Sequence, residues 1–258
     1  MEEGIRLQQV ILTALGVGGA TVLGSILGFA VKRIPHKYND IILSFAAGVM
    51  LAAAILGLVL PAVENGGPYG ALLAGAGILC GALFLNGVDR LVPHMHTLAG
   101  IDREKQGENI HQVNRILLFV MAIAIHNLPE GIAAGVSFGT GNIADAFTVA
   151  AGIALQNVPE GMIIIAPMLA AGISRRRTFL LALATGLVEV AGTLFGYFAI
   201  TVASFLLPFL LAFAGGTMLY VISHDMIPET HSHGFERGAT YSLLVGFIVM
   251  LILDFYIG

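Results

Sequence analysis

Eight long apolar runs separated by polar connections make up most of this chain, at roughly 8–31, 41–63, 70–92, 115–138, 143–171, 178–205, 208–230 and 239–257. Each is long enough to cross the roughly 30 Å hydrocarbon core of a bilayer as a helix, which takes about 20 residues. The pattern predicts an all-α membrane protein, with eight transmembrane helices in a bundle forming one domain over 1–258. Most connections are short and carry turn chemistry, as in Asn65-Gly66-Gly67-Pro68 and Gly139-Thr140-Gly141-Asn142. Only the stretch of about 93–114 is long and polar, and it reads as a cytoplasmic linker loop.

Composition agrees with this reading. Hydrophobic residues make up 57% of the chain and charged ones only 11%, with 33 glycines, and the mean hydropathy is +0.90, values foreign to a soluble domain of this size. A net charge of −4 gives no basis for binding nucleic acid. The single cysteine, Cys80, excludes an internal disulfide and a thiolate metal cage. The first apolar run follows an acidic start and exceeds 20 residues, so it is read as a spanning helix and not as a secretory leader.

Basic residues orient the bundle. Lys32, Arg33 and Lys37, then Arg90, Arg103, Lys105 and Arg115, then Arg175, Arg176 and Arg177, and finally Arg237 all fall on one face, leaving only Arg6 for the other. Lysine and arginine in short flanking loops mark the cytoplasmic side, so both termini are expected outside the cytoplasm of a cell (inner or plasma) membrane. Gly24 with Gly28, and Gly77 with Gly81, have the small-xxx-small spacing of helices that approach closely in lipid, and are read as packing faces.

The chemistry lies in a repeated hexapeptide. His126-Asn127-Leu128-Pro129-Glu130-Gly131 and Gln156-Asn157-Val158-Pro159-Glu160-Gly161 sit thirty positions apart near the middle of two consecutive, antiparallel runs. A carboxylate at the bilayer centre costs roughly 2.5–3.5 kcal/mol on insertion scales, so Glu130 and Glu160 imply a polar or cationic occupant. First and fifth residues share a helix face, pairing His126 with Glu130 and Gln156 with Glu160. The prolines free the carbonyls of Ile125 and Leu155, and free backbone acceptors at that depth belong beside a wet cavity. A motif repeated at mid-depth in antiparallel helices implies a two-fold axis in the membrane plane, as in inverted-repeat transporters. Glu189, in the sixth run, is a third embedded carboxylate. Carboxylates with an imidazole and amides form a mixed oxygen and nitrogen donor set suited to a divalent transition metal such as zinc, iron, manganese or cadmium, and His126 would be superfluous in a calcium site.

These hexapeptides, with Ala46-Ala47-Gly48-Val49-Met50-Leu51 and Ser223-His224-Asp225-Met226-Ile227-Pro228-Glu229-Thr230-His231, resemble the ZIP (Zrt-, Irt-like) divalent-metal transporters, most of all their prokaryotic GufA-type branch. The resemblance covers almost the whole chain. It implies a binuclear centre, with one metal held by Met50, His126, Glu130, Gln156 and Glu160, and a second by His126, Asn127, Glu130, Asn157, Glu160 and Glu189. It also implies a transport route lined by His224, Asp225, Glu229 and His231, an acidic pair Glu64 and Asp254 at the outer entrance, and a homodimer. Many members carry histidine in place of Gln156 and aspartate in place of Asn157. This chain therefore has fewer basic nitrogens and one charge less, which points to a harder, less zinc-selective site.

The leading expectation is carriage of divalent metal into the cytoplasm by alternating access, with metal ions and lipid as the partners and no organic cofactor. A membrane-embedded metal-dependent hydrolase is the second reading, and its marks are missing: no His-Glu-x-x-His helix and no nucleophile with a matching base. A metal-gated channel would use the same residues and differ only in whether flux saturates. His94, Met95, His96 and His111 in the long loop, and His231 and His233 beyond Pro228, are candidate metal acceptors on the cytoplasmic side.

Overall fold

A computed structural model describes residues 2–31, 35–98, 108–170 and 172–258, with side chains described over 6–31, 35–90, 121, 123–170 and 172–258. Its helices are α1 (Glu2–Ala30), α2 (His36–Ala54), α3 (Leu60–Asn65), α4 (Gly70–Leu98), α5 (Glu108–Val136), α6 (Ile143–Ala170), α7 (Arg175–Val202), α8 (Leu207–Val221), α9 (Ile227–Thr230) and α10 (Glu236–Ile257), and the described residues contain no strand. Seven stretches of the described residues are long and apolar enough to span a membrane: Arg6–Ala30, His36–Asn65, Gly67–Arg90, Ile143–Ala170, Arg175–Val202, Ser204–Thr230 and Glu236–Ile257. The eighth long helix is α5, with 29 residues. Leu12, Leu72, Phe195, Val202, Phe205 and Phe255 are among many large apolar side chains left exposed. In a bundle of spanning helices that surface faces lipid.

The polar stretch at 93–114 is shorter as a loop than its composition suggests, since α4 runs on to Leu98 and α5 begins at Glu108. Polar residues hold helices well where water can solvate their side chains, so a helix need not stop where its apolar run stops. The remaining connection, 99–107, lies outside the described residues.

The inverted repeat is visible in which helices touch. The principal pairs are α5 with α7, α1 with α6, α4 with α8, α2 with α10, and α1 with α7. Exchanging α1 with α7, α2 with α8, α4 with α10 and α5 with α6 turns this set into itself, and also turns the α2–α6 contact into the observed α8–α5 contact. Helices α1, α5, α6 and α7 form one group, and α2, α4, α8 and α10 the other.

Two details repeat under the same exchange. A wide π-helical turn, Ile55–Val59, joins α2 to α3, and another, Ile222–Met226, joins α8 to α9. Each precedes a proline, Pro61 or Pro228, which cannot donate to the carbonyl four residues back and clashes with it, so the turn upstream widens. The second detail is the glycine that closes each hexapeptide: a Cβ on Gly161 would strike the carbonyl of Thr21 in α1, and one on Gly131 the carbonyl of Glu189 in α7. Thr21 and Glu189 therefore occupy corresponding places. The glycine pairs read from spacing also pack as expected, Gly24 against the backbone of Val158, Gly28 against Ile165 and the Met162 carbonyl, and Gly77 and Gly81 against the backbone of α8.

Candidate metal centre

Helices α5 and α6 present their hexapeptides to each other, and α1 and α7 close the site from behind. Gln156 donates from Nε2 to Glu130 Oε1 at 2.7 Å, joining the two copies directly. Asn157, next along α6, donates from Nδ2 to Glu189 Oε2 at 3.0 Å and to the Val17 carbonyl at 3.2 Å. The Thr21 hydroxyl lies 2.9 Å from Glu189 Oε1 and 3.0 Å from Oε2. Glu130 feels both Glu160 and Glu189 electrostatically. The three membrane carboxylates singled out in the sequence are thus gathered in one place.

What they leave unsatisfied matters more. Glu130 Oε2, Gln156 Oε1, Asn157 Oδ1 and Asn127 Oδ1 are all buried without a hydrogen-bond partner. A buried polar atom without a partner costs about 1–3 kcal/mol, and more when charged. Several acceptor oxygens in one cluster of carboxylates and amides share a single remedy, a cation among them.

A cavity of about 790 Å³ leads away from this cluster. Glu130, Glu160 and His126 line its deep end, His224 and Asp225 its middle, and His36, Asn39 and Glu229 its mouth. Those mouth residues lie at the ends of α2 and α9 that share a face with the start of α7, where the three consecutive arginines begin. His126 Nε2 lies 3.6 Å from Asp225 Oδ2. Asp89, His126 and Asp225 bring one ligand atom each to within 4.8 Å of one another. Asp225 also lies 3.0 Å, through Oδ1, from His224 Nδ1, and the His224 ring stacks on Tyr220 at 4.9 Å.

The other expected residues are placed as follows. Met50 is fully buried within the main apolar cluster and is not part of the cavity wall. His231 lies 2.9 Å through Nδ1 from the Ile227 carbonyl and 3.1 Å through Nε2 from the Thr240 hydroxyl, so both its nitrogens are engaged within the chain. Glu64 is exposed near the end of α3, and Asp254 near the end of α10 has Asp145 as its charged neighbour, both at the end of the bundle away from the cavity. The side chains of His94, Met95, His96 and His111 lie outside the described residues.

Asp89 and Thr21 were missed from sequence. Asp89 carried the same signal as Glu189, a carboxylate inside an apolar run, whereas Thr21 carried none, because a threonine in a membrane helix ordinarily bonds its own backbone. Thr21→Val keeps the shape and removes the hydroxyl that holds Glu189. A drop in metal affinity of roughly 10-fold or more is expected, as for other losses of a ligand's outer support, with Thr21→Ser restoring it; calorimetric titration of the purified protein reads both.

A helical membrane bundle whose buried carboxylates, amides and imidazole converge halfway along the helices beside a cavity that opens to one side has the make-up of a cation transporter. The family model described as ZIP Zinc transporter matches residues 100–254. The chain is 42% identical to the zinc transporter GufA of Myxococcus xanthus over 96% of its own length and 98% of that protein. It is 36% identical to the zinc transporter ZIPB of Bordetella bronchiseptica, over 100% and 84% respectively, and 32% identical to human zinc transporter ZIP11 over 97% of each. The chain belongs to the ZIP family. It is a transporter rather than an enzyme, and the hydrolase reading is set aside.

Proposed function

We propose that the chain carries divalent transition-metal cations, zinc first, inward across a cell membrane through the site between α5 and α6. The supporting observation is the set of buried, unpartnered oxygens on Glu130, Gln156, Asn157 and Asn127, of which Glu130 lines the cavity open toward one end of the bundle. The relatives named above as zinc transporters make zinc the first cargo to test. Gln156 and Asn157 in place of stronger donors extend the cargo toward iron(II), manganese and cadmium.

His126, Glu130, Gln156 and Glu160 form the first metal position in this reading, joined by Met50 once the helices shift. His126, Asn127, Glu130, Asn157, Glu160 and Glu189 form the second. Glu64 and Asp254 admit the ion from outside, and His224, Asp225 and Glu229 receive it beyond the site. With the arginine-rich face in the cytoplasm, the cavity corresponds to an inward-open state, and alternating access requires it to close as the opposite side opens. Both termini outside and a homodimer belong to the same reading.

Reconstitution in liposomes holding a metal-sensitive dye tests it, with saturable influx of zinc as the expected result and no influx of any of the four metals as the result against it. Acid provides a second check. Ligand atoms must be deprotonated to bind metal, so protons compete at each step. Influx is expected to fall roughly 10-fold between about pH 7.5 and about pH 5.5, the interval in which histidine ordinarily changes charge.

A further inference from the structure

At the mouth of the cavity two i,i+4 pairs from different elements meet. His36 and Asp40 share a face in the first turns of α2, and Glu229 and His233 follow one another around the α9–α10 connection. His233 Nδ1 lies 3.0 Å from Asp40 Oδ1 and its Nε2 4.0 Å from Glu229 Oε1. The rings of His36 and His233 stack with centroids 4.6 Å apart. Asp40 is fully buried, and its second oxygen, Oδ2, has no partner.

We propose that His233, Glu229 and His36 form a divalent-metal site at the cavity mouth, separate from the centre between α5 and α6 and supported by Asp40. Asp40 accepts from the Nδ1–H of His233 and fixes the ring, the usual arrangement of carboxylate behind a metal-bound histidine, while Nε2 has only the Ser232 hydroxyl at 3.4 Å beside it and turns toward Glu229 as the metal donor. Two ligands around a tetrahedral zinc stand about 3.3 Å apart, so the 4.0 Å between Nε2 and Glu229 closes with a small movement of an exposed glutamate. His36, exposed at the same mouth, supplies a third donor after a turn of its side chain, and water the fourth. A fully buried carboxylate with a bare oxygen is costly unless positive charge is held nearby, and an ion on His233 supplies it. All four residues belong to the α2, α8 and α10 side of the bundle, so the site stays with one helix group. An ion passing out of the central site would meet it last.

The inference rests on metal passing along this cavity, and the test separates the two. Purified full-length chain carrying Glu130→Ala and Glu160→Ala is equilibrated with Zn2+, desalted, and its metal counted by mass spectrometry. About one ion per chain is expected to remain. Adding His233→Ala is expected to weaken that binding at least 10-fold, and Asp40→Asn about 10- to 100-fold, the range found for such supporting groups. Glu229→Gln, on an exposed side chain, replaces Asp40→Asn if the latter does not fold by circular dichroism. No residual ion, or one unchanged by His233→Ala, overturns the mouth site even when the wild type transports. Failure of wild-type influx in liposomes overturns the transport reading instead, and the residual count still decides the mouth site.

Discussion

Glu130→Ala is expected to lower saturable zinc influx into liposomes by about 100-fold or more while leaving the protein folded. Glu130 is the junction of the centre: it shares a face with His126, accepts from Gln156 at 2.7 Å, and holds a second, unpartnered oxygen among the other carboxylates. Removing it takes away a charged donor common to both proposed metal positions, a larger loss than the 10- to 100-fold that follows removal of a supporting group. Stability should move differently. Without metal, Glu130 adds repulsion with Glu160 and Glu189, so Glu130→Gln should unfold at the same temperature as the metal-free wild type or higher. Added zinc should raise the melting temperature of the wild type by clearly more than that of the variant, which has lost the central site, because a ligand bound only to the folded state shifts that equilibrium. A Glu130→Ala protein that keeps half its influx would remove Glu130 from the pathway.

The parts of this protein that were legible in its sequence are those whose physics is local. A bilayer imposes a fixed length of apolar chain, so the runs marked the helices, and the cost of a charge in lipid marked Glu130, Glu160 and Glu189 without any knowledge of their neighbours. Helical spacing made Gly24 and Gly28 a packing face, and the structure sets both against α6. Contacts across the fold were hidden. Thr21 reaches Glu189 over 168 positions, and His233 reaches Asp40 over 193. His231 and His233 read alike along the chain, yet one has both nitrogens tied to neighbouring residues and the other faces Glu229. The widened turns before Pro61 and Pro228 could have been suspected, since both prolines interrupt long apolar runs, but which turn relaxes depends on packing.

Gly161→Ala is expected to be among the most damaging single changes in the chain, although it adds only one methyl group. The new Cβ would overlap the Thr21 carbonyl and come within 3.0 Å of the Ser25 backbone nitrogen, and neither can move unless α1 shifts as a whole. Helix α1 carries the Thr21 hydroxyl that holds Glu189 and the Val17 carbonyl that holds Asn157, so moving it disturbs the centre from behind. Overpacking of a close contact costs typically about 1–3 kcal/mol, and a backbone clash belongs at the upper end. Thermal melting in detergent should show the loss, and influx should fall close to background. Gly19→Ala is the control, on the same helix with nothing within 4 Å of the added atom, and should melt and transport like the wild type. The internal exchange then makes a stricter demand. Gly131 stands to Glu189 in α7 as Gly161 stands to Thr21 in α1, so Gly131→Ala must do comparable damage. If Gly131→Ala and Gly161→Ala both behave like Gly19→Ala, close helix approach is not what holds the centre together. If only one is harmful, the two halves share a shape without sharing its mechanical role.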